Sequence, residues 1–145
     1  MEKIKVLFVC IHNSARSQMA EAYLNKFAGD RFIASSAGIA PGRLNPVVVA
    51  AMKDDGIDIS GNKTKSVEEF LDKKIDYVIS VCDATSGERC PIFPGAVKRL
   101  HVEFPDPSAL KGSFDEVLDG TMKIRDDIKV KVAELVRDIA ASQPV

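Results

Sequence analysis

The run Ile4–Cys10, IKVLFVC, carries a single charged residue, Lys5, and ends on a cysteine. A strand with one wet face alternates apolar and polar residues. This one does not, so it needs cover on both faces, which is the situation of a central strand in a parallel sheet with helices packed against it. The chain then runs straight into a helical pattern, with Met19, Ala22, Tyr23 and Phe27 at helical spacing, Asn13 or Ser14 as the expected cap and Gly29 as the expected stop. A buried parallel strand feeding a helix within a few residues commits the chain to the α/β class.

The rest of the chain repeats that alternation. RFIASSAG reads as a second strand, and NPVVVAAMKDDG as a helix with Asn45 as cap, Pro46 in its first turn and Gly56 as its stop. Its three consecutive valines favour a strand, but the punctuation at both ends outweighs them. Ser66 and Glu69 form a capping box for a short helix ending near Leu71. DYVISVC and VKRLHVEF read as strands, and DATSGERCPIFPG and PDPSALKG as loops. Ser113 with Glu116 opens a helical region running toward Ala140, with a break expected around Gly120. The expectation is one domain over residues 1–145: a three-layer α/β/α arrangement around a four-stranded, mostly parallel sheet.

Composition limits the partners. With 46% apolar and 28% charged residues the chain reads as an ordinary soluble protein without a membrane span. Lys and Arg (20) nearly balance Asp and Glu (21), so no general field draws nucleic acid or an acidic membrane, and any anion must be captured locally. The opening MEKIKVLFVC has no signal-peptide pattern, and three cysteines are an odd number for a disulfide scaffold. A cytoplasmic protein with reactive thiols fits both observations, and with nothing suggesting an obligate interface it is expected to be a monomer.

In parallel sheets ligands bind beyond the carboxyl ends of the strands. Cys10 ends the first expected strand, Cys82 the third, and Asp106 follows the fourth. Between Cys10 and Arg16, the residues Ile11, His12, Asn13, Ser14 and Ala15 can wrap their backbone around a tetrahedral oxyanion at a helix N-terminus. Arg16 can close the cradle with two planar donors, and the same field favours Cys10 as a thiolate aimed at the central atom. Ser17 is placed to donate to that sulfur, and Asn13 to hold an unusual backbone conformation. His12 either adds a donor or covers the loop. Asp106, between Pro105 and Pro107, can protonate a leaving oxygen. Blander readings stand beside these: a small buried apolar cysteine at a strand end, and a turn aspartate bonding its own backbone. Cys82 and Cys90 permit thiol relay chemistry. A metal held by both with His101 is disfavoured, for want of knuckle spacing and a fourth ligand, so neither a metal nor a bound cofactor is expected.

These residues together resemble the thioredoxin-coupled arsenate reductases, which share the low-molecular-weight protein tyrosine phosphatase fold. The likeness spans essentially the whole chain: CIHNSARSQMAEA, the SSAG and NP segments, SVCD with its later cysteine, and FPDP. It implies that Cys10 attacks arsenate, that Arg16 holds its oxygens and that Asp106 assists departure of hydroxide. It further implies that Cys82 releases arsenite, that Cys90 closes a disulfide with Cys82, and that thioredoxin reduces that disulfide. Some members bind potassium at positions matching Asn13, Glu21, Ser36 and an aspartate near Lys65. A lysine ammonium cannot ligate a cation, so potassium is not expected here and the ammonium of Lys65 takes its place. The pair Cys82 and Cys90 is one residue farther apart than in some relatives. A tyrosine phosphatase is the alternative, sharing CIHNSARS and Asp106, but DPSA supplies no aromatic wall after the aspartate and hydrolysis has no use for the later cysteines. An oxyanion sensor without turnover would need a recognition surface that the composition does not suggest.

Overall fold

A computed structural model describes residues 2–82 and 96–142 of the 145-residue chain; Cys90 and the expected loop around it lie outside the described residues. Four strands, β1 (Ile4–Cys10), β2 (Phe32–Gly38), β3 (Ile75–Ser80) and β4 (Ala96–His101), form a sheet in the order β2-β1-β3-β4. Every pairing is parallel, so the sheet is parallel throughout rather than mostly so. The register sets Cys10 opposite Gly38 and Val9 opposite Ser80.

The helices are α1 (Arg16–Ala28), α2 (Pro46–Asp54) and α3 (Phe114–Ser142). The architecture is three-layer α/β/α. On one face, Val6, Phe8 and Cys10 share a core with Met19, Tyr23 and Leu24 of α1, Val48 and Met52 of α2, and Ile124 and Ile128 of α3. On the other, Leu7, Val9 and Val78 pack with Phe70 and Val67. The unbroken run of β1 thus has its cause: alternate residues feed two cores, and each fully buried Leu or Phe contributes about 1.5–3 kcal/mol. Among the described residues, no helix is long and apolar enough to cross a membrane.

Local punctuation behaves largely as its chemistry dictates. Asn45 Oδ1 accepts from the N–H groups of Val47 (2.9 Å) and Val48 (3.3 Å), Pro46 opens α2, and Gly56 takes φ 80° beyond its end. Ser66 and Glu69 form the capping box, but on a 3-10 turn, Val67–Phe70. Two expectations are corrected. Neither Asn13 nor Ser14 caps α1; the residue before the helix is Ala15, with no side-chain cap, because Asn13 is engaged elsewhere. Nor does Gly120 break α3, which runs through it. A Cβ there would lie 2.9 Å from Leu110 Cδ1, so this glycine makes room for a packed side chain instead of bending the helix. Phe27, at an apolar position of the α1 pattern, is 38% exposed and stacks on Tyr23.

Candidate active site

β1 ends at Cys10 and α1 begins at Arg16, so residues 11–15 form the turn between a buried strand and a helix N-terminus. The carbonyls of this turn are drawn outward. Ile11 O accepts from Ala40 N (2.8 Å), His12 O from Gly42 N (3.0 Å), Asn13 O from Gln18 Nε2 (3.1 Å) and Ser14 O from Asn45 N (2.9 Å). In a trans peptide the N–H points opposite to its carbonyl, so the N–H groups of His12, Asn13, Ser14 and Ala15 turn to the inner side. The Asn13 N–H shows where that side is: it donates to Cys10 Sγ at 3.0 Å. A turn with outward carbonyls and inward amides at a helix N-terminus is a cradle for an oxyanion.

Asn13 is the one described non-glycine residue with positive φ, at 55°. Its side chain holds that conformation: Nδ2 donates to Ser17 Oγ (2.8 Å), and Oδ1 accepts from Lys65 N (2.9 Å) and Gln18 Nε2 (3.1 Å). With its oxygen accepting from Asn13, Ser17 has its hydrogen available for Cys10 Sγ, 2.9 Å away. Cys10 is buried, 3% exposed, and its sulfur faces two donors, Asn13 N–H and Ser17 O–H. His12 is turned away from this arrangement: its ring is exposed and Nδ1 donates to Ala40 O at 2.9 Å, so it covers the loop.

Arg16 is buried, with Nη1 donating to Phe104 O (3.2 Å) and Nη2 lying 3.7 Å from Asp106 Oδ2. The guanidinium therefore joins the turn to the segment after β4 and brings Asp106 to the same rim. Asp106 serves two purposes at once. Oδ1 accepts from Ser108 N (2.9 Å), capping a 3-10 turn at Pro107–Ala109, and Oδ2 faces Arg16. Its side chain is 29% exposed, open to solvent on one side.

Cys82 follows β3 and is fully buried. Val81 N donates to Val9 O at 3.0 Å, carrying the β1–β3 pairing past the end of β3, so the chain reaches Cys82 beside the start of the cradle. Cys10 and Cys82 are both buried cysteines. His101 is engaged with Ser80 Oγ (2.6 Å) through Nδ1 and with Glu103 Oε1 (3.2 Å) through Nε2; among the described residues no three ligating side chains gather for a metal. The donors matching a potassium site do not fit a cation. Lys65 Nζ stands 3.9 Å from Glu21 Oε1 and donates to Lys63 O (3.1 Å), and Ser36 Oγ donates to the same Glu21 oxygen (2.8 Å). Burial pushes the Glu21 carboxyl up, against the opposing pull of Lys65 and Ser36.

Sequence reasoning missed Gln18, Asn62 and Phe104. Gln18 is fully buried inside α1 and bonds Asn13, Lys63 O (3.1 Å) and Asn62 Nδ2 (3.1 Å). The one available signal was a glutamine on the same helical turn as the core residue Met19. Phe104 contributes a backbone carbonyl, which no side-chain pattern reveals.

The family model for low molecular weight phosphotyrosine protein phosphatase matches residues 5–144. An arsenate reductase of Bacillus subtilis (strain 168) is 37% identical over 134 residues, covering 92% of this chain and 96% of its own. A solved arsenate reductase in a phosphate-binding state superposes with a TM-score of 0.78 at 31% identity, over 94% of this chain and 98% of that one. A thioredoxin-dependent arsenate reductase of Corynebacterium glutamicum gives a TM-score of 0.71 at 29% identity, over 99% of this chain and 64% of that one.

Proposed function

Since the chain belongs to the low-molecular-weight phosphotyrosine protein phosphatase family, among its arsenate reductases, we propose that it reduces arsenate to arsenite through its cysteines, with thioredoxin as reductant. The observation that carries the reductase over the phosphatase reading is Cys82, a buried cysteine where β3 ends beside β1. Hydrolysis of a phosphate ester has no step for it.

Arsenate docks on the inward amides of residues 11–15 and the Arg16 guanidinium. The Cys10 thiolate attacks arsenic, and one arsenic oxygen leaves as water after taking a proton from Asp106. Cys82, as thiolate, then attacks the Cys10 sulfur; a Cys10–Cys82 bond forms, the sulfur–arsenic pair stays on arsenic, and arsenite departs. Cys90 attacks Cys82, forming their disulfide and freeing Cys10 as a thiolate. The thioredoxin dithiol takes up the disulfide's oxidation. Each turnover moves two electrons from the Cys82 and Cys90 thiols to arsenic. In this reading the chain works as a single 1–145 unit, as a monomer in the cytoplasm, where reduced thiols persist.

The test is arsenite production by the purified protein with thioredoxin, thioredoxin reductase and NADPH, with thiol mapping after one arsenate turnover. Arsenite together with a Cys82–Cys90 disulfide is the expected result. Release of phosphate from an aryl ester without arsenite would make the chain a phosphatase.

A further inference from the structure

Gln18 is a fully buried polar side chain in the first turns of α1, followed by the core residues Met19 and Ala20. Placing a carboxamide there is costly unless its groups are matched. Here they are, and every partner lies on or beside the anion loop. Nε2 lies 3.1 Å from each of Asn13 Oδ1, Asn13 O and Lys63 O, its two hydrogens shared among the three acceptors. Oε1 accepts from Asn62 Nδ2, also at 3.1 Å. The two main-chain carbonyls decide which end of the carboxamide faces the loop: Asn13 O and Lys63 O can only accept, so the NH₂ must point at them, and Asn62 donates to the oxygen left on the other side.

The consequences pass through Asn13 to the sulfur. Asn13 holds φ at 55° and delivers two of its groups to the nucleophile's surroundings, its N–H to Cys10 Sγ and its Nδ2 to Ser17 Oγ, which in turn faces Cys10 Sγ. A left-handed residue without a glycine's freedom persists only when its surroundings over-determine it. Gln18 bonds both the backbone oxygen and the side-chain oxygen of Asn13, and so restrains the two rotations that aim those donors.

Resting on the reading of Cys10 as nucleophile, we propose that Gln18 is a positioning residue: pinned by Asn62, its carboxamide holds Asn13 in the left-handed conformation that directs the N–H of Asn13 and the hydroxyl of Ser17 at the Cys10 sulfur. It also fastens the 62–65 segment to the loop, since Lys65 N bonds Asn13 Oδ1 and Gln18 bonds Lys63 O.

Gln18→Met keeps the length and removes the polar groups. Asn62→Ala leaves Gln18 in place and removes the donor that restrains its oxygen. Arsenate turnover, inorganic phosphate affinity, the rate of Cys10 carboxamidomethylation by iodoacetamide at fixed pH, and the melting temperature are measured on each. Gln18→Met is expected to lower kcat and the Cys10 alkylation rate together by roughly tenfold, with KM changed by no more than about twofold. Asn62→Ala changes them in the same direction by less, and the double variant is no worse than Gln18→Met alone, since both act through one carboxamide. A lowered melting temperature with kcat and alkylation rate within about twofold of the parent would make Gln18 structural only and overturn the proposal. If Gln18→Met fails to fold, Asn62→Ala decides: unchanged kcat and alkylation rate overturn it. Failure of the underlying reading looks different, because Cys10→Ser would then retain arsenate turnover.

Discussion

Two donors converge on the Cys10 sulfur, and substitution separates its proposed role from that of Cys82. Cys10→Ser is expected to lose both arsenate reduction and any hydrolysis of p-nitrophenyl phosphate, since the same attacking atom serves both. Cys82→Ser is expected to keep the hydrolysis and lose arsenite release, because the cradle and Arg16 are untouched. Parallel arsenite and p-nitrophenol assays on the two variants check this; loss of both activities in a folded Cys82→Ser would remove Cys82 from the relay. The anion-binding residues were legible because cradle chemistry constrains types and spacing within one short segment. Asp106 carried two competing readings, as acid or as turn residue; Oδ1 accepts from Ser108 N, as in a turn residue, while Oδ2 faces Arg16. Gln18 and Asn62 were not legible, since they are 44 positions apart and neither is unusual in its own stretch of sequence.

The element that positions the site is the pair β1 and β2 with the turn that leaves β1. At Gly38, which is opposite Cys10, a Cβ would fall 2.5 Å from Ile11 O and 2.9 Å from Asn13 N, both backbone atoms of the cradle. Backbone cannot rotate aside as a side chain can, so Gly38→Ala must displace the loop. The expected outcome is a loss of about 1–3 kcal/mol in stability from overpacking and at least roughly tenfold in kcat from misplacing the nucleophile. Denaturant titration and steady-state kinetics measure the two effects, and an unchanged kcat would show that the loop tolerates the shift. The same contrast explains which element boundaries sequence could supply. Asn45 and Ser66 cap as their local chemistry predicts, because a cap needs only neighbours three residues away. α1 begins without a side-chain cap because Asn13 bonds Ser17, Gln18 and Lys65, and α3 passes Gly120 because Leu110 fills the space.

Across the whole molecule the three described α-helices are joined by a polar network. Tyr23 of α1 donates to Asp55 Oδ2 (2.6 Å) at the end of α2, Lys129 of α3 bonds both Asp55 oxygens (3.2 and 3.0 Å), and Arg125 of α3 donates to Ala51 O (2.7 Å). Burial, reinforced by the bond to Asp55 and its charge, pushes the Tyr23 phenol above its ordinary range. A phenol that holds its proton more tightly when folded stabilises fully below its unfolded value, near about 10, and loses that contribution as pH rises from there toward the folded value. Asp55 has the opposite sign: the Tyr23 hydrogen bond, then Lys129, hold its carboxyl low, so its contribution is present above the ordinary aspartate range and is lost as pH falls through the folded value. Tyr23→Phe is expected to flatten the alkaline limb of stability and to cost about 1.5–3 kcal/mol at neutral pH for the lost bond to a charged acceptor. Urea denaturation of both proteins across the alkaline range tests this, and parallel alkaline limbs would show that Tyr23 does not set the decline.

What the sequence determined alone was whatever depends on near neighbours. The unbroken apolar run of β1 required a doubly covered parallel strand, caps and prolines marked α2, and the stretch from Cys10 to Arg16 marked a turn from a strand end to a helix N-terminus. What only the tertiary structure decided was whatever depends on groups far apart in the chain. Examples are Phe104 O and Asp106 on Arg16, Lys65 N on Asn13, and β3 delivering Cys82 beside β1. The reason is physical. Backbone propensity and capping act over a few bonds, whereas burial, charge pairing and hydrogen bonding to main-chain atoms act through space, and the sheet order that brings those atoms together is written in no single segment.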